Sequence, residues 1–124
     1  MKDSRLVIFA HGSQDSRWRL PFEQLTASLT ERLGADKVRL AYMEFVHPSL
    51  ADVVREAAGD GKLHLRVLPL FLAAGAHVAE DIPRLIADAQ AVFPQVKIEL
   101  LKPIGEHPRV KALFREIACD YARN

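Results

Sequence analysis

Leu6-Val7-Ile8-Phe9-Ala10-His11-Gly12-Ser13 is the stretch whose reading decides the fold. A short apolar run that ends on histidine and glycine has the pattern of a strand buried on both faces and closed by a tight turn. Further along, Val67-Leu68-Pro69-Leu70-Phe71-Leu72-Ala73-Ala74-Gly75-Ala76-His77 repeats the pattern. If the two runs are neighbouring parallel strands, both imidazoles arrive at the carboxyl edge of one sheet, where open α/β sheets bind ligands.

Outward from these runs, short β-rich segments alternate with helix-period segments, which predicts βαβ units on a parallel sheet. The first strand is expected over 5–10. Trp18, Phe22, Leu25, Leu29 and Leu33 fall on one helical face, with Pro21 in the first turn and Gly34 as the stop. A second strand over 37–45 precedes a helix opened by Pro48, carrying Leu50, Val53, Val54 and Ala57, and ended by Gly59-Asp60-Gly61. The third strand, over 64–72, is apolar except for Arg66, and Pro69 inside it predicts a bulge because proline donates no ladder hydrogen bond. The next helix starts between 78 and 82 and ends at 92, with Ile82, Leu85, Ile86, Ala89 and Phe93 on one face and Pro83 opening or kinking it. A fourth strand over 97–101 leads through Gly105-Glu106-His107-Pro108 to a closing helix striped by Val110, Leu113, Phe114, Ile117 and Tyr121, with Cys119 almost opposite the stripe. Right-handed crossovers then favour a three-layer α/β domain over 1–124: an open four-stranded parallel sheet, order 2-1-3-4, with helices on both faces and flavodoxin-type winding.

Composition narrows the function classes. With 124 residues, 49% apolar and 27% charged, the chain suits one compact domain. A net charge of +1 gives no footprint for nucleic acid or an anionic membrane. No apolar run approaches the roughly 20 residues of a membrane-spanning helix. Met1-Lys2-Asp3-Ser4-Arg5 shows no signal-peptide pattern, and the single Cys119 forms no internal disulfide, so a cytoplasmic location is expected.

Two neutral imidazoles, His11 and His77, make a half-built metal site suited to cobalt, nickel, iron or zinc. Glu44, in Ala41-Tyr42-Met43-Glu44-Phe45, is read either as a third ligand or as an outward charge on an alternating strand. Two histidines and one carboxylate form an open site that releases its metal, unlike a closed four-ligand site. Glu80 and Asp81 either favour a helix N-terminus or orient His77 from behind. His47 and His107 precede prolines at helix starts and are read as boundary residues, His64 as structural, and Cys119 has no activating base near it in sequence. There is no Walker loop, G-x-G-x-x-G, G-x-S-x-G or H-E-x-x-H. A histidine-phosphatase chemistry is disfavoured because Ala10 stands where an arginine is expected before the histidine.

Phe9-Ala10-His11-Gly12-Ser13 together with Pro69 to Pro83 resembles the class II tetrapyrrole chelatase family, in its short single-domain sirohydrochlorin cobaltochelatase form. Ala41-Tyr42-Met43-Glu44, Pro48-Ser49-Leu50 and Gly105-Glu106-His107-Pro108 extend the likeness along nearly the whole chain. The resemblance implies an ATP-independent lyase of cobalamin or siroheme-type tetrapyrrole (porphyrin) biosynthesis that inserts a divalent metal into sirohydrochlorin. Co²⁺ is the expected metal substrate, with Fe²⁺ or Ni²⁺ as alternatives, and no cofactor is permanently bound. His11, His77 and Glu44 are implied to be catalytic and to hold the metal. Gly12, Ser13, Arg17, Phe45, Gly75 and Val78 are the candidate contacts to the ring and its carboxylates, with Arg19, Arg84 and Lys102 as further cations, and Glu80 and Asp81 stand behind His77. Larger relatives carry two such domains, so a homodimer is expected. A non-catalytic metal or tetrapyrrole carrier using the same histidines is the alternative. Gln14 departs from the arginine that many relatives place after His-Gly-Ser.

Overall fold

Strands β1 (Ser4–Ala10), β2 (Val38–Tyr42), β3 (His64–Pro69) and β4 (Lys97–Leu100) form one parallel sheet in the order β2-β1-β3-β4. The computed structural model describes residues 4–73 and 75–123, without the side chains of Ala76 and His77. Val7 pairs with Arg39 and Val67, and Ile8 with Leu40 and Leu68. Because side chains alternate along a strand, this register sends Val7, Phe9, Ala41, Leu65 and Val67 to one face. There they meet Leu50, Val53, Val54 and Ala57 of α2 (Leu50–Gly59) and Ile82 and Ala89 of α3 (Ala76–Val92), forming the buried core with Val96. On the other face Ile8, Ala10, Val38 and Tyr42 are buried in the layer shared with α1 (Ser16–Leu33).

Several boundaries differ from the sequence expectation, each for a local reason. β3 stops at Pro69, and no bulge is needed: at the last position the missing N–H costs no ladder bond, and Leu70 N–H donates to the Phe9 carbonyl at 2.8 Å. β2 stops at Tyr42, so Glu44 lies in the following loop and not inside a strand, and Phe45 adopts a φ of +74°. Pro21 falls inside α1, beyond its first turn, because the Asp15 side chain caps the helix earlier by accepting from the Arg17 N–H. Ser49, not Pro48, opens α2 through a capping box with Asp52. α3 begins earlier than its apolar stripe suggested, which leaves Pro83 inside it and puts His77 in its first turn.

At the amino edge of the sheet Arg5 is 2% exposed yet charged. Its guanidinium reaches Asp36 at 2.9 Å, Asp60 at 3.2 Å and Glu56 at 3.5 Å, and Lys62 joins Asp36. Those cations hold the Asp36 carboxyl below its ordinary range, Lys62 foremost and then Arg5. After β4 a 3-10 turn (Ile104–Glu106) leads into α4 (Pro108–Arg123). The stripe Leu113, Phe114, Ile117 and Tyr121, expected in the core, is exposed, and no residue of α4 is buried. α4 finds its main contact in the 3-10 turn beside it.

Candidate functional site

His11 is the first residue beyond β1, and Glu44 lies two residues beyond β2, the neighbouring strand. Their side chains meet at the carboxyl edge of the sheet, with His11 Nε2 2.9 Å from Glu44 Oε1 and both about half exposed. Two backbone bonds zip the loops together: Met43 N–H donates to the Ala10 carbonyl at 2.8 Å and Glu44 N–H to the His11 carbonyl at 3.2 Å. Gly12 makes this approach possible. Its φ is +98°, and an added Cβ would overlap the Glu44 carbonyl oxygen. On its other side the His11 imidazole meets the Phe71 ring edge-on, 6.1 Å between centroids. A cavity of about 390 Å³ opens beside the histidine, walled by Trp18, Phe22, Tyr42, Leu70, Phe71 and Leu72, with Arg19 at its edge.

A profile of the family described as CbiX matches residues 5–121. The chain belongs to the CbiX family. It is 32% identical to the chloroplastic sirohydrochlorin ferrochelatase of Arabidopsis thaliana over 82% of its length, and there it spans 45% of the relative. It is 29% identical to the sirohydrochlorin cobaltochelatase of Sulfurisphaera tokodaii, covering 96% of this chain and 94% of that one. The crystal structure of a CbiX protein from Marinobacter aquaeolei superposes with a TM-score of 0.84 at 37% identity, covering 97% of this chain and 95% of that one. The chain thus spans less than half of the plant relative and nearly all of the other two.

Within this CbiX fold the expected site residues divide. His11, Glu44, Gly12 and Ser13 gather at one edge; the first two form the polar pair, while Gly12 is a spacer against the Glu44 backbone. Ser13 Oγ accepts from the Asp15 N–H at 3.1 Å. The N-terminus of α1, expected to offer N–H groups to an anion, already holds the Asp15 carboxylate. Arg17 grips that carboxylate at 2.7 Å and lowers its pKa. Arg17 is therefore engaged within its own turn. Arg84 is likewise paired, with Asp81 at 2.6 Å, beside a small pocket that Glu44 and Met43 also line. Arg19 donates to the Ser13 and Gln14 carbonyls and reaches the aromatic cavity. Phe45 is exposed next to Ser13 and Asp15. Gly75 is the residue before α3, Glu80 is exposed on that helix, and Val78 packs against the core. Lys102 lines a different groove, with residues of β3, the 3-10 turn and α4. The His77 side chain lies outside the described residues; its backbone is in the first turn of α3, which follows the loop from β3. Among the described residues no group of three or more histidine, cysteine or acidic side chains is poised to hold a metal.

Trp18, Phe22, Tyr42 and Phe71 were not singled out as site residues by sequence. Trp18 and Phe22 read as one helix's core face, and Phe71 as part of a strand that in fact ends at Pro69. The available signal was Phe71's place just past a strand end, beside the histidine of the adjacent strand.

Proposed function

We propose that this chain inserts a divalent metal, cobalt or iron, into sirohydrochlorin without ATP, with His11, Glu44 and His77 as the metal-handling residues. The 2.9 Å separation of His11 Nε2 and Glu44 Oε1 carries the reading. Donors about 2.1 Å from a first-row cation and that far apart subtend roughly 90° at it, the angle of neighbouring ligands in an octahedral or five-coordinate shell. Insertion releases two pyrrole protons for each M²⁺ taken up. Once the metal has passed to the ring, His11 Nε2 is free to accept one as general base, and half-exposed Glu44 takes the other and passes it to water. His77 is the second imidazole of this reading, on the helix that follows the loop after β3. The aromatic cavity beside His11 supports a flat apolar ring face, and Arg19 at its edge supports a peripheral carboxylate. Two relatives named as chelatases favour turnover over a carrier role. We further assign a homodimer, in which a second copy stands where longer relatives have their second half, and a cytoplasmic location.

Anaerobic incubation with sirohydrochlorin and Co²⁺, Fe²⁺ or Ni²⁺ tests the reading, because ring absorption reports metallation. The intact chain should outrun the protein-free rate. His11→Ala should lose about 100-fold or more and Glu44→Gln about 10- to 100-fold. Full activity in both variants would remove the mechanism.

A further inference from the structure

Among the described residues, the Tyr42 hydroxyl is the buried side-chain polar atom without a hydrogen-bond partner. The residue is 3% exposed. A hydroxyl withdrawn from water and left unpaired is destabilising, and phenylalanine would fill the same space without that penalty. Buried tyrosine hydroxyls ordinarily find a partner, so an orphan in a native fold calls for a reason.

Its position supplies one. Tyr42 ends β2 and pairs with Ala10, the residue before His11. It therefore stands at the carboxyl edge of the sheet and forms part of the wall of the 390 Å³ cavity, as Trp18 and Phe71 do. A phenol is protonated at neutral pH and so is a donor there. Two charged side chains of α1 act on it, Glu23 and Arg19. Glu23 is exposed, whereas Arg19 lines the same cavity. Acids hold Arg17 and Arg84, but Arg19 Nη1 donates to the Ser13 and Gln14 carbonyls, which leave its positive charge unneutralised. A donor without an acceptor beside a cation bonded to carbonyls suits a carboxylate, which is negative and only accepts.

We infer that Tyr42 and Arg19 together hold one peripheral carboxylate arm of the tetrapyrrole, with Tyr42 Oη donating to the arm and the Arg19 guanidinium supplying the opposite charge. This rests on the sirohydrochlorin reading above and adds Tyr42 as a binding residue. The hydroxyl shows no free surface, so the arm reaches it by turning aside a side chain of α1. That helix has no buried residue, and Trp18 on it is 70% exposed, which leaves those side chains room to turn. An arm held there sets which edge of the ring lies beside His11.

Tyr42→Phe tests the subsite through two readouts that a purely structural hydroxyl would not move in this way. Binding of metal-free sirohydrochlorin is followed by quenching of Trp18, the only tryptophan in the chain. The variant should raise Kd about 10-fold, the worth of one hydrogen bond to a charged group, while its urea midpoint holds or rises. In steady-state metallation the loss should fall in KM for the ring and not in kcat, because an anchored arm is held equally before and during insertion. Arg19→Ala should also raise Kd, and the double variant should lose less than the product of the single losses, since both groups hold one carboxylate. An unchanged Kd overturns the subsite. So does a fallen midpoint, which assigns the hydroxyl to the fold, through Glu23 or a buried water; independent losses in the double variant overturn the shared arm. A wild type that neither binds nor metallates the ring removes the functional reading and the subsite with it, whereas a wild type that metallates and a Tyr42→Phe variant that matches it remove the subsite alone.

Discussion

Gly12 governs the His11–Glu44 contact through the close approach of its backbone to the Glu44 carbonyl. Replacing it with alanine imposes a left-handed φ on an L-residue and drives a methyl into the Glu44 carbonyl. Gly12→Ala should therefore cost at least about 2 kcal/mol in a urea titration. It should also bring metallation down towards the His11→Ala level, since the two loops part. Asp52 makes a separate, acid-sensitive contribution. The Ser49 N–H, then His47 Nδ1 at 2.6 Å, hold its carboxyl well below the usual range. A depressed folded pKa gives stability that is present above the unfolded value of about 3.9 and is lost as pH falls through and below it. Melting temperature should thus drop between about pH 4 and pH 2, and Asp52→Asn should flatten part of that slope. At this scale His11 was legible in the sequence, because an imidazole ending an apolar run has few other places to be. Glu44 was legible as a candidate only. Its partner depended on a glycine that α1 and β2 separate from it in sequence, and no periodicity encodes that.

Among the elements, the 3-10 turn Ile104–Glu106 acts on the site from a distance. Gly105 N–H donates to the Phe71 carbonyl at 3.0 Å, and a Cβ on Gly105 would overlap the Leu72 backbone. Phe71 in turn abuts the His11 ring. Gly105→Ala should shift the 70–73 loop and lower the metallation rate several-fold while far-UV circular dichroism stays unchanged; an unaltered rate would separate this turn from the site. Strand order was readable in advance, since apolar runs, helix-period runs and crossover handedness leave few arrangements. Strand ends were not. β3 looked longer because Leu70, Phe71 and Leu72 continue its apolar run, whereas the ladder ends at Pro69. For α4 the stripe announced a face that needs covering, and amphipathicity says nothing about which chain covers it.

Over the whole molecule the sheet has two unlike ends. At the amino edge Arg5 ties the α1–β2 turn, through Asp36, to the end of α2, through Glu56 and Asp60; at the carboxyl edge His11 and Glu44 lie beside an open cavity. The Arg5 cluster escaped the sequence reading because its acids come from two segments far from Arg5 in sequence, and a charged residue at a strand start looks like surface. Arg5→Ala should remove a fully buried side chain and its bonds, costing about 2–4 kcal/mol by chemical denaturation, with metal insertion per folded molecule unaltered. Sites this far apart with no shared partners should combine additively. The consequence concerns evolvability. Loops at the reactive edge can be randomised to change metal preference while the clamp at the opposite edge keeps each library member folded, so selection at the bench acts on chemistry and is not dominated by rescue of collapsed variants.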